Sequence, residues 1–255
     1  MMREAETLTL AGKTVPRLGF GTMRLTGPGT WGDPPDTHPA IHLLRTLVHT
    51  HGITHLDTAD AYGPHTVEHL IRRALWPYPE NLLIATKVGM VRPAPNTWLP
   101  LGRPEFLRAT VEQSLRRLNL ERLDLCYLHR VDPTVPFEDQ VGTLAELQQE
   151  GKIAHVGLSK VTPEQIDLAH ALVPVAAVQN KLSMAVPGDT PTVEHCRERG
   201  IPYVPYAPLG SGSLATNGQA AKALRWLLDL GEHTAPIPGT SSLPHLEELL
   251  RTADR

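Results

Sequence analysis

The feature that most constrains this chain is a strict alternation of short apolar runs with amphipathic helical stretches. After the hairpin pattern TLTLAGKTVPRLG, the strand-like runs GFGTM, HLDTA, LLIATK, LDLCYLH, IAHVGLS, VAAVQ, IPYVPYAPL and TAPIP recur in order. Each is followed by a stretch of helical period, from PAIHLLRTLVHTHG to SSLPHLEELLRTADR. Several of these stretches open with proline, and the fourth, FEDQVGTLAELQQEGK, closes on Gly151. Alternation of this kind predicts a parallel sheet with right-handed crossovers. Eight pairs in 255 residues predict a closed (β/α)8 barrel preceded by a β-hairpin, with a doubly wound open sheet as the alternative. No composition shift or repeat divides residues 1–255, so a single barrel domain is expected.

Composition narrows the function classes. The net charge of −3 gives no basic surface for nucleic acid or an anionic membrane. No apolar run reaches the roughly 18 residues of a membrane span, and the start, MMREAETLTLAGK, has no signal-peptide core. Two cysteines, Cys126 and Cys196, supply neither a disulfide framework nor a four-cysteine zinc site. The expectation is a cytoplasmic protein, monomeric by default, with no metal.

In a barrel, polar residues at the C-terminal ends of strands mark function. They recur here: Asp57 after HL, Lys87 in ATK, His129 in YLH, Ser159 and Lys160, Gln179 and Asn180, and Tyr206. Tyr62 follows Asp57 by five positions. One reading is a structural Asp57–Lys87 ion pair plugging the barrel mouth. The other is proton chemistry, in which an ammonium beside a phenol lowers its pKa, a carboxylate holds the ammonium, and a histidine holds a carbonyl. Two motifs read as decoys. GPGTWG at 27–32 has dinucleotide-loop spacing, but DPPDTHP follows it where a helix should open. HTVEH at 65–69 has metal spacing, but its His65, Glu68 and His69 fall mostly on the polar side of the helix, a solvated face. Cys126 alternates with His129 along one strand and reads as a buried structural thiol.

LDTADAYG, ATK and LH, together with GLSK, VQN, YAPLGSG and IPGTSS, resemble in order the motifs of the aldo-keto reductases over about residues 15–250. The long loops 24–38 and 89–102 resemble a bacterial branch that includes pyridoxal reductase-like enzymes. The resemblance implies reduction of an aldehyde or ketone by NADPH, with NADH possible. It implies a catalytic tetrad of Asp57, Tyr62, Lys87 and His129, with Tyr62 as the general acid. It further implies cofactor contacts from Gly21, Thr22, Met23, Asp57, Ser159, Lys160, Gln179, Tyr206, Ala207, Leu209, Ser211, Gly239, Thr240, Ser241, Ser242, His245 and Glu248. Met23, Trp31, Tyr62, Trp98 and His129 are expected around the substrate, whose aromatic surroundings favour an aromatic or heteroaromatic carbonyl compound. A pyridoxal-type aldehyde or a specialised biosynthetic intermediate fits that description.

The sequence also departs from the family. Lys160 stands where asparagine is usual, and an ammonium donates but cannot accept. No Arg or Lys lies between Gly239 and Glu248, which weakens preference for the NADPH 2′-phosphate. A shortened segment after Ser211 and a shortened C-terminus imply an open pocket with fast cofactor exchange. An NADP(H)-binding regulatory or sensor module is the alternative function.

Overall fold

The computed structural model describes residues 7–215 and 218–253. The first six residues and the last two, Asp254 and Arg255, lie outside the described residues, so the far end of the expected final helix is not among them. The strands are β1 (Thr7–Leu10), β2 (Lys13–Pro16), β3 (Phe20–Gly21), β4 (His55–Asp57), β5 (Leu83–Val88), β6 (Met90–Val91), β7 (Leu99–Pro100), β8 (Leu123–Leu128), β9 (Ile153–Ser159) and β10 (Val175–Gln179). The helices are α1 (His38–Arg45), α2 (Thr66–Leu75), α3 (Pro104–Leu118), α4 (Phe137–Gln149), α5 (Pro163–His170), α6 (Thr190–Glu198), α7 (Gln219–Leu228) and α8 (Leu243–Ala253). The first expected helix is interrupted, because a π-type turn over Thr46–Thr50 follows α1.

Six strands form one parallel sheet in the order β10-β9-β8-β5-β4-β3. β1 and β2 pair antiparallel through the turn at Ala11 and Gly12. The seventh and eighth expected strands do not form ladders. Tyr203 makes single parallel bridges to Val178 and to Thr234. Backbone bonds from Gly19 to Pro236 O (3.0 Å) and from Gly21 to Pro238 O (2.9 Å) reach back to β3. The reason is chemical: Pro202, Pro205, Pro236 and Pro238 lack the N–H that a ladder needs. Approach at this junction is close. A Cβ on Gly239 would collide with the backbone oxygen of Gly21.

Strand alternation sorts side chains to two cores. Leu83 and Ala85 of β5 and Leu125 and Tyr127 of β8 point inward, joined by Leu10 and Val15 from the antiparallel pair. Ile84, Val88, Cys126 and Leu128 face the helices. There they meet the stripe Val67, Leu70 and Ile71 of α2 and Leu107 and Val111 of α3. Burial of each such side chain contributes roughly 1.5–3 kcal/mol. The inward parity of β5 next presents Lys87, and that of β8 presents His129, at one end of the sheet.

Candidate active site

Four segments deliver the central cluster. The loop after β4 is clamped to β5 by Thr58 N–H to Ala85 O (2.8 Å) and Asp60 N–H to Lys87 O (3.2 Å). This brings Tyr62 over Lys87. Lys87 Nζ donates to Asp57 Oδ1 at 2.6 Å, to Thr58 O at 2.8 Å and to the Tyr62 hydroxyl at 3.1 Å. Gln179 Nε2 donates to the other carboxylate oxygen of Asp57 at 2.6 Å. Lys87 and Asp57 are each 1% exposed, so this ion pair is shut off from water. Thr22 supports it from behind, since both its N–H and its hydroxyl donate to Asp57 O.

Electrostatics sort these groups by role. Burial opposes the charge on Lys87, but Asp57 and Tyr62 outweigh it and hold the ammonium above its ordinary value. Burial likewise pushes the Tyr62 phenol up, against the pull of Lys87. The sequence expectation of a lowered phenol pKa is therefore corrected: desolvation wins over the ammonium, and Tyr62 is a protonated donor. Burial, then Lys87, Lys160, Arg130 and Arg92, hold His129 well below its usual range, so it is neutral. Its Nδ1 is buried with no partner. Tyr62, His129 and Trp98 form an edge-to-face trio, with ring centroids 6.1–6.3 Å apart. Arg92 stacks on Trp98 at 3.6 Å and fixes it by donating to Thr97 O and Ala61 O.

The cluster opens into a cavity of about 870 Å³. Of the residues expected from sequence, Gly21, Met23, Asp57, Tyr62, Trp98, His129, Ser159, Lys160, Gln179, Tyr206, Ala207, Leu209, Ser211, Gly239, Thr240, Ser241, Ser242, His245 and Glu248 all line it. Two do not. Thr22 is fully buried behind Asp57, and Trp31 lies outside the lining, 5.8 Å from the Arg92 guanidinium. The structure adds Arg24, Thr30, Arg130, Lys181, Ile237 and Leu249 to the wall. Arg130 and Lys181 directly follow His129 and Asn180, so their adjacency to strand ends was the available signal.

The two decoys resolve. Residues 28–30 make one short 3-10 turn and open no helix. In α2, His65 and His69 are exposed, but Glu68 is fully buried, contrary to the expected solvated face. It accepts from Arg117 at 2.6 Å, Thr86 at 2.7 Å and Ser114 at 3.3 Å. Among the described residues no His, Cys, Asp and Glu group is placed to hold a metal.

The shape and chemistry of the cavity suit a nicotinamide dinucleotide. Tyr206 offers a flat ring and Ser159 and Gln179 offer amide partners at one end. At the other, Thr240, Ser241 and Ser242 precede α8, where hydroxyls beside a helix N-terminus suit phosphate.

Comparison with known proteins agrees. A model of the Aldo/keto reductase family matches residues 17–222. An uncharacterized oxidoreductase of Schizosaccharomyces pombe is 42% identical over 263 residues, covering 98% of this chain and 85% of that protein. A pyridoxine 4-dehydrogenase of Escherichia coli K12 is 40% identical over 262 residues, covering 96% and 91%. Among solved structures, a glycerol dehydrogenase of Gluconobacter oxydans superposes with a TM-score of 0.87 at 24% identity, covering 98% and 90%, which speaks to the fold. A thermostable aldo-keto reductase bound to the inhibitor epalrestat gives 0.81 at 25%, covering 98% and 94%.

Proposed function

The chain belongs to the aldo/keto reductase family, and from that premise we propose that it reduces an aldehyde or ketone to an alcohol with NADPH, Tyr62 acting as general acid. It is an oxidoreductase, and the family uses nicotinamide cofactors. In the proposed reading the segments around Tyr203 and Thr234 complete a closed (β/α)8 ring, and the chain forms one domain. The observation that carries the mechanism is the Asp57–Lys87–Tyr62 chain of hydrogen bonds, ending in a hydroxyl at the cavity wall.

The bound nicotinamide would supply the hydride. The protein's own residues do the rest. Tyr62 donates a proton to the developing alkoxide, and Lys87 stabilises the phenolate left behind. Asp57 keeps Lys87 charged and in place. Neutral His129 donates one hydrogen bond to the carbonyl oxygen and adds no charge. Trp98, packed edge-on against Tyr62 and His129, excludes water and favours a flat, aromatic or heteroaromatic substrate. A pyridoxal-type aldehyde fits, supported by the 40% identity to pyridoxine 4-dehydrogenase. Preference for NADPH over NADH is the weaker part of the proposal, because His245 is the basic-type side chain on the wall at the adenosine end.

The test is loss of reduced-nicotinamide absorbance with NADPH, then NADH, and a panel of aldehydes including pyridoxal, with Tyr62→Phe alongside. Turnover that disappears in the variant while NADPH still binds supports the assignment. NADPH binding with no turnover on any aldehyde would return the chain to a sensor role.

A further inference from the structure

One wall of the cavity carries three cations. Arg130 follows β8, Lys160 follows β9, and Lys181 lies two residues beyond β10, so three adjacent strands each end in positive charge. Elsewhere the buried and half-buried cations are satisfied: Lys13 by Asp124, Arg117 by Glu68, Lys152 by Glu112 and Glu150, and Arg92 and Arg17 by backbone carbonyls. Among the described residues, no carboxylate lies within ion-pair distance of Arg130, Lys160 or Lys181, and none of these three side chains donates a hydrogen bond to the protein. Of the two acids on the cavity wall, Asp57 is committed to Lys87 and Gln179, and Glu248 stands on α8.

Lys160 and Lys181 are exposed at the mouth, where a lysine needs no partner, but Arg130 between them and His129 is half-buried. Arg130 Nε is closed off from water and unpartnered, an orphan donor of a kind that native proteins rarely keep. Lys160 holds φ at 56°, a left-handed conformation unusual for lysine, with its ammonium 5.5 Å from the Tyr206 ring. Partial burial at the mouth, with Arg130 and Lys181 close by, lowers its pKa to about 8. Like charges on one wall repel, and the charges of Arg130 and Lys181 both act on Lys160. An oxyanion offsets that repulsion, and a guanidinium receives one in two parallel hydrogen bonds.

The oxyanion could come from the cofactor or from the substrate, and placement separates them. The phosphate-type features, Ser211 and Thr240–Ser242, lie on the segments beyond Tyr206. The cations lie on the β8–β10 side with His129, and the charges of Lys160 and Arg130 both act on that imidazole. We propose that Arg130, Lys160 and Lys181 form a subsite for a carboxylate or phosphate carried by the carbonyl substrate, which rests on the carbonyl-reduction reading above. The favoured substrates are then aldehydes or ketones with an anionic arm, aromatic near the carbonyl.

Two measurements on wild type, Arg130→Met and Lys181→Met test it. The first compares kcat/KM for 4-formylbenzoate with that for its uncharged methyl ester. The wild type should prefer the acid by about tenfold, the worth of one charge-assisted hydrogen bond. Arg130→Met should bring the ratio toward one, through KM rather than kcat, with a smaller change for Lys181→Met. The second measures benzoate binding to the NADP⁺ complex by quenching of tryptophan fluorescence, which needs no turnover. Binding in the wild type that weakens in Arg130→Met supports the subsite even where neither aldehyde is reduced, in which case the reductase reading is what fails. An unchanged acid-to-ester ratio, or benzoate that does not bind the wild type, overturns the proposal. So does a loss of NADPH affinity in both variants with no change toward benzoate, which would give the cations to the cofactor.

Discussion

β5 carries two buried ionic clusters on adjacent residues, one on each face. Lys87 turns inward to Asp57 and Tyr62, and Thr86 turns outward to Glu68, itself paired with Arg117. Both clusters are desolvated, and both contain one carboxylate and one cation. They differ in what is left over. On the outer face, Glu68 accepts from Arg117, Thr86 and Ser114, and Ser114 also accepts from Arg117. That network closes on itself between helices. On the inner face, the chain of bonds ends in the Tyr62 hydroxyl on a cavity wall, beside an imidazole nitrogen with no partner. A buried ion pair therefore does not mark a catalytic site. An ion pair that leaves one group unfinished, facing a cavity, is the better candidate.

The largest effect expected is on the inner face. Tyr62→Phe removes only the hydroxyl that accepts from Lys87, which keeps Asp57 and Thr58 O as partners. Turnover should fall by about 10²–10⁴-fold, the usual worth of a positioned general acid, while stability in urea changes by no more than about 1 kcal/mol. If Tyr62→Phe lowered stability by several kcal/mol but left the kcat of the folded fraction intact, the inner cluster would be structural and the distinction between the two faces would collapse.

The outer face should show the reverse. Arg117→Met strands a fully buried carboxylate and should cost about 3–5 kcal/mol, read as a lower urea midpoint. The folded fraction should turn over at the wild-type rate. Glu68→Leu combined with Arg117→Met should recover much of the loss, because the stranded Glu68 carboxylate is removed with its partner. A large drop in kcat for Arg117→Met at full folding would show that the two clusters communicate through β5.

The inner cluster was legible in the sequence and the outer one was not, for a geometric reason. Asp57, Lys87 and His129 stand where strand parity and strand ends alone place them inside the mouth. Glu68 sits off the apolar stripe of α2, and a single helix gives no sign that its flank is covered. It is covered by α3, which brings Ser114 and Arg117. The same limit applies to the tryptophans. Trp31 and Trp98 both lie on long loops, yet of the two only Trp98 lines the cavity, and Arg92 stacks on it at 3.6 Å against 5.8 Å to Trp31. The last two strands failed as ladders at their prolines, which the sequence does show. The raised phenol of Tyr62 was hidden, since the balance between burial and Lys87 depends on how completely water is excluded.

His55 extends the contrast along the inner face. It begins β4, is fully buried, and neither ring nitrogen has a partner. Burial, and then Lys87, hold its pKa down to about 3. The sign follows from proton counting. Between pH 6.5 and 3 the unfolded chain binds a proton at this site and the folded chain does not, so stability falls as pH falls through that window. At pH 5 the loss is about 2 kcal/mol relative to neutral pH. His55→Leu should remove this component, so urea unfolding at pH 7 and pH 5 should show a decline about 2 kcal/mol smaller in the variant than in the wild type. Equal declines would mean that His55 is protonated in the folded state.

The smallest effect belongs at the mouth of the cavity, where Lys160 loses its proton near pH 8. The protonated form is the one that attracts an oxyanion, and a bound oxyanion raises the ammonium's pKa in the complex. Benzoate affinity should therefore be flat below pH 8 and weaken above it, by up to about tenfold per pH unit, until the pKa of the complex is reached. The affinity of a neutral analogue, benzamide, should stay level over the same range. In Lys160→Met the benzoate curve should flatten to match it, while Arg130, charged throughout, sustains weaker binding. If the slope persists in Lys160→Met, another group on the wall titrates, and the left-handed lysine is there for a reason other than its charge.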